Sequence, residues 1–258
     1  MGFSVVQMKR FSATEATDVK ETIVQESTGT NYAKRFQTTM EVAISKIFPA
    51  GFGWQYSSSI ADDMGFQATD ATFAAITGLG DMCGVFAGHT LFYTMKSLID
   101  PTIDVKTEVH TALFLGSAAF CSGAAWQPVV NTLQAANLPF NTVVLGTTAA
   151  TGLAFFTGLR IFRSVYNPMG LNVPANDYAN LKTDCSLSLS IGSACGGFVG
   201  TDIAYLPHQN WLKGVVGIDD ADALLTGCTK AGSSTALGFT AVQSAQNITY
   251  TKGKNWTD

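Results

Sequence analysis

The chain has 258 residues, a formal net charge of −4 and 13% charged residues, about half of the roughly 25% usual for soluble globular domains. From Thr111 to Leu159, 49 consecutive residues carry no Asp, Glu, Lys, Arg or His, and a water-facing surface is hard to build from such a stretch. The mild charge gives no reason to expect a nucleic-acid partner, and the length fits one compact unit without a long linker.

Residues 1–36 read as a polar tail on the cytoplasm-equivalent side of a membrane. Lys9 and Arg10 are followed by Glu15, Asp18, Glu21 and Glu26, and no apolar run follows the basic pair, so neither a secretory signal nor an ordinary mitochondrial presequence is expected. Gly2 is followed by Val6 where myristoylation wants Ser or Thr.

The first apolar segment, about 37 to 60, is the weakest. It contains Glu41, Lys46 and Pro49, so it predicts either a spanning helix or an amphipathic helix on the membrane surface. Stronger spans follow at about 70 to 97, 109 to 134, 141 to 163 and 184 to 206. A fifth, about 221 to 247, is uncharged except for Asp222 and Lys230. Mean hydropathy is only +0.20, which keeps a soluble all-α protein as the competing class. Abundant Gly, Ala, Ser and Thr account for the low value, because helices packed in lipid favour small residues at their contacts.

Loop charge favours six crossings over five. With six, one side holds Lys9, Arg10, Lys20, Lys34, Arg35, Lys96, Lys106, Arg160, Arg163, Lys182, Lys252 and Lys254, and the other only Lys213, a split of 12 to 1. If the first segment does not cross, Lys46 counts with the tail and the split becomes 7 to 7. With six crossings both termini face the cytoplasm-equivalent side, with Asp62, Asp63, Asp219 and Asp220 opposite. Trp54, Tyr56, Tyr205 and Trp211 fit one aromatic belt, and Phe92, Tyr93 and Tyr166 the other. The sequons at Asn247 and Asn255 fall on the unglycosylated side.

A shift of 112 positions sets Gly80-Asp-Met-Cys-Gly-Val-Phe-Ala-Gly88 on Gly192-Ser-Ala-Cys-Gly-Gly-Phe-Val-Gly200, with five identities in nine. A shift of 114 sets Thr69-Asp70 on Thr183-Asp184 and Lys46-Ile-Phe48 on Arg160-Ile-Phe162. The expectation is therefore an all-α polytopic membrane helix bundle built as a 3+3 inverted internal repeat. Its parts are a tail at 1–36, three-helix units at 37–136 and 137–247, and a short tail at 248–258. Gly84, Gly88, Gly196 and Gly200 form GxxxG pairs suited to close helix packing. Trp126-Gln-Pro128 predicts a kink or a helix end.

An ionisable group in hydrocarbon costs at least about 2.5–3.5 kcal/mol on insertion scales, so it usually faces protein or water. Asp81, His89, Asp202 and Lys230 are the resulting candidates for an ion or solute path; structural pairing is the plainer alternative. The five cysteines form no CxxC pair and the three histidines are scattered. They read as small buried residues and predict neither a disulfide framework nor a metal site. No enzyme or cofactor motif stands out; Lys230 as a retinal-type Schiff base has little support. Two function classes remain. One is a transporter or channel for a small solute or ion, with its path at the repeat interface. The other is a noncatalytic scaffold subunit of a larger organellar or bacterial complex. Expected partners are the bilayer and further copies or other membrane subunits.

Overall fold

The structure is a computed structural model that describes residues 33–173, 178–199 and 223–251. The described residues are helical, without strands, in six main helices: α1 (Phe48–Asp63), α2 (Ala71–Ser97), α3 (Val105–Ala135), α4 (Phe140–Tyr166), α5 (Tyr178–Val199) and α6 (Ala223–Thr251). Residues Thr39–Gln243 form one compact unit. In the other, Met1–Thr38 with Ser244–Asp258, the described residues 33–38 and 244–251 are helical, and Thr38 Oγ1 donates to the Lys34 carbonyl at 2.9 Å.

Three helices, α2, α3 and α4, are long and apolar enough to cross a membrane, with mean hydropathies of 1.3, 1.3 and 1.5 in their best windows. They match the segments expected at 70 to 97, 109 to 134 and 141 to 163. Only 22%, 44% and 39% of those windows is buried inside the protein. What points outward is large and apolar: Leu79, Leu91, Leu145, Leu153 and Ile161 are all more than half exposed. What points inward mixes small and polar residues, including Ala112, Ala118, Thr77, Thr147 and Thr151, with a few large ones such as Phe73, Phe114 and Leu159. Water would penalise that distribution, whereas lipid chains solvate it.

Local chemistry sets the ends. Asp104 precedes α3 and accepts from the Thr107 hydroxyl at 2.6 Å and the Lys106 amide at 3.1 Å. The Thr107 bond and then the backbone donors hold its carboxyl below the usual carboxylate range. Thr102 does the same for Asp100 in the preceding turn. Gly65, just past α1, has φ +83°, a left-handed turn conformation that glycine takes without a Cβ clash.

The first segment belongs to the bundle and does not lie apart as a surface helix. Pro49 has no N–H for the Ser45 carbonyl and its ring crowds that group. The chain widens into a π turn over Ala43–Ile47 immediately before α1. Gly84 and Gly88 of α2 then lie against Pro49, where a Cβ on either would collide with it. Gly53 and Gly80 bring α1 and α2 equally close.

Each helix packs on the next. Gly78 meets Phe120 and Ala124 across α2–α3, Gly158 meets Ala118 and Cys121 across α3–α4, and Gly152 meets Ser188 across α4–α5. Across α5–α6, Gly238 meets Ala194 and Gln243 donates to Ser190 at 2.8 Å. The last helix returns to the first, with Gly232 against Phe48 and Gly51 against Ala231 and Thr235. The six helices close a ring.

Several expectations need correcting. Pro128 does not end α3, which runs on to Ala135. Cys83 and Cys185 are not buried but exposed on the outer surface, where an apolar solvent accepts a thiol as readily as a core does. Of the aromatic residues expected near the interfaces, Trp54 lines the interior, and Tyr166 shares a 2.7 Å hydrogen bond with Ser117. The helix that carries the segment expected from 184 begins at Tyr178. Gly200, Asp202, Tyr205 and Trp211 lie outside the described residues.

Candidate functional site

All six helices line a central cavity of about 910 Å³, counting its open mouth. Its wall is apolar apart from Lys46, Asp81, Ser122, Cys195 and Thr235. Val85, Leu115, Ala119, Phe155, Leu187 and Ile191 make up much of the rest.

Asp81 is the acidic group of this wall. It projects from α2 toward α3, and Gly123 makes the space for it: a Cβ there would lie 2.7 Å from its Oδ2. The Ser122 hydroxyl, which donates to the Ala119 carbonyl at 2.9 Å, and the Cys195 thiol are both within electrostatic reach of the carboxylate.

Three aromatic rings meet at one end of the cavity. The Trp54 and Trp126 centroids are 4.7 Å apart in an edge-on arrangement, and Phe198 is 6.5 Å and 5.6 Å from them. Trp54 Nε1 donates to the Gly123 carbonyl and Trp126 Nε1 to the Cys195 carbonyl, both at 3.1 Å. Each indole therefore ties its own helix to the next odd-numbered one.

These residues recur at a fixed spacing. Trp54, Trp126 and Phe198 are 72 apart, as are Gly51, Gly123 and Cys195; Ala50, Ser122 and Ala194; and Ile47, Ala119 and Ile191. All twelve line the cavity. Phe48-x-x-Gly51-x-x-Trp54-Gln55 reappears as Phe120-x-x-Gly123-x-x-Trp126-Gln127. Between them, Ala75-x-Thr-Gly-Leu79 reappears as Ala149-x-Thr-Gly-Leu153.

A belt of charge pairs joins helices at the other end. Lys96 of α2 holds Glu41 at 2.8 Å, and His89 of α2 meets Glu108 of α3 at 2.7 Å. Arg163 of α4, 2% exposed, grips Asp184 of α5 through two bonds of 2.6 and 3.0 Å. Arg160 stands 3.8 Å from the same carboxylate, and the Arg163 guanidinium lies over the Phe114 ring at 5.2 Å.

Of the four path candidates, Asp81 lines the cavity. His89 is two helical turns away in the charge belt, bonded to a carboxylate and not to a backbone or hydroxyl group. Lys230 is next to cavity-lining Ala231 on α6, and Asp202 lies outside the described residues. Sequence reasoning passed over Trp54, Trp126, Phe198 and the Arg163–Asp184 pair. The signal for the rings was present in the repeated Trp-Gln; the arginine was counted as a loop charge. Compared with family models, curated proteins and solved structures, the chain matches none.

Proposed function

We propose that this protein is a noncatalytic membrane transporter or channel whose six helices all cross the bilayer and whose central cavity is the path for a small solute or ion. The cavity itself carries this reading. It is lined by every helix, holds the Asp81 carboxylate in a mainly apolar wall, and lies within a shell of lipid-facing Leu and Ile. A buried acid in such a setting is costly unless it serves a path or a partner. The charge belt and the aromatic triangle are the two constrictions. Opening requires exchange of the belt's pairs at one end and separation of the rings at the other, the usual logic of alternating access.

The repeat at the centre of this mechanism is three helix hairpins. The offset of 112 divides the helices into two inverted triplets, whereas the spacing of 72 places α1, α3 and α5 in equivalent roles and in parallel. The spacing of 72 has the stronger support, because it relates residues that share one cavity wall. The charge asymmetry of the loops puts Lys106 and both termini on the cytoplasm-equivalent side, with Asp62 opposite.

Scaffolding within a larger membrane complex is the second reading. It draws on small residues turned outward: Cys83 and Ala87 are exposed, and Gly197 faces open space. Solute flux in proteoliposomes separates the two. Transport predicts flux in the parent chain and at least a tenfold loss in Asp81→Asn, about 1.4 kcal/mol. Absence of flux from correctly assembled parent protein contradicts transport and favours the scaffold.

A further inference from the structure

We infer that the cavity binds an organic ammonium ion, with its charged head between Asp81 and the rings of Trp54, Trp126 and Phe198. This deepens the transport reading and rests on it only for the direction of movement, since binding is testable by itself.

Charge and shape select the class. The π faces of Trp and Phe attract a cation at ring distances of up to about 6 Å, and the three rings converge on one level of the bundle. Asp81 is at that level too. Its carboxylate lies on Gly123, whose carbonyl receives the Trp54 N–H. Above the rings the wall is largely apolar, with Phe155 among Val85, Leu115 and Ile191, so the cation's body is apolar. A hydrated metal ion is a poor fit, because hard cations need several oxygen ligands to replace their water and Asp81 with Ser122 provides few. An anion is opposed by the carboxylate and by the negative ring faces.

Lys46, the cavity's base, does not cancel this preference. Gly80 packs on Gly53 and Gly88 reaches Pro49 and Ser45, which puts Lys46 about two turns, roughly 10 Å, from Asp81 along the helices. There it sits over the Tyr93 ring at 5.7 Å, with Glu41 and Glu108 as its electrostatic partners. Its charge is balanced within the belt.

The test uses the full chain purified in mild detergent, with benzyltrimethylammonium as the cationic probe and neopentylbenzene as its neutral isostere. Tryptophan quenching and thermal shift report binding. The expected result is saturable binding of the cation, roughly tenfold or more tighter than the isostere. Asp81→Asn should weaken it by at least that factor, Asp81→Glu should retain it, and Trp54→Phe with Trp126→Phe should weaken it further. Equal binding of both probes, or undiminished binding by Asp81→Asn, overturns the inference. If Asp81→Asn does not fold, the comparison of the two probes on the parent chain decides. Cation binding without flux defeats transport alone; flux of other solutes without cation binding or competition defeats the ligand class alone.

Discussion

Arg163 shows how a single residue near a helix end can be misjudged from sequence. A long cationic side chain there usually snorkels to the interface, and nothing in Arg160-Ile-Phe-Arg163 says which arginine does so. In the structure Arg160 is a third exposed while Arg163 is buried on Asp184. Arg163→Met leaves a carboxylate in the interior with the more distant Arg160 as its remaining ion-pair partner among the described residues. The expected cost is about 3–5 kcal/mol, read as a lower unfolding temperature in detergent. Replacing both partners, Arg163→Met with Asp184→Leu, should recover most of the loss, because the pair's desolvation cost disappears with its attraction. A double variant as unstable as the single would show that the loss does not come from the unpaired carboxylate. Asp81, by contrast, was legible in the sequence, because a carboxylate at the middle of an apolar helix is too costly to be kept there without a partner or a path.

At the scale of helices, the indoles form two steps of a cycle. Trp54 ties α1 to α3 and Trp126 ties α3 to α5, each through the carbonyl three residues before the next ring of the series. The third step, from α5 back to Gly51 of α1, falls to Phe198, which has no donor. Phe198→Trp should complete the cycle. One added hydrogen bond contributes about 0.5–1.5 kcal/mol, which should raise the unfolding temperature by about 1–6 °C. Destabilisation, with the new indole N–H still exchanging freely with solvent, would deny the equivalence of the three positions. The three long apolar helices α2, α3 and α4 were readable from charge depletion, since the cost of burying ions in lipid leaves long gaps between them. Helix partners were harder to read, because Gly, Ala and Ser are compatible with many contacts. The spacing of 72 becomes decisive only once its members are seen on one wall. The π turn at Ala43–Ile47 had its cause in Pro49, yet a proline inside a helix is equally compatible with a kink or an end, and at Pro128 the helix continues.

For the whole molecule, closure of α6 onto α1 distinguishes a ring with a core of space from a bundle packed solid. Sequence alone indicated small residues on the inner faces but not whether they met each other or left a gap between them. In a chain whose native cysteines are replaced by alanine, single cysteines at Ala50, Ser122 and Ala194 would occupy three equivalent places on the cavity wall, and one at Leu153 would face lipid. Their reaction with a small, charged, membrane-impermeant thiol reagent in intact membranes measures whether water reaches the wall. The three cavity positions should all react, and a bound benzyltrimethylammonium ion should slow them, while position 153 stays inert. Reaction at 153 with silence at 50, 122 and 194 would mean that the outer surface is wet and the interior closed, and the membrane path described here would not exist.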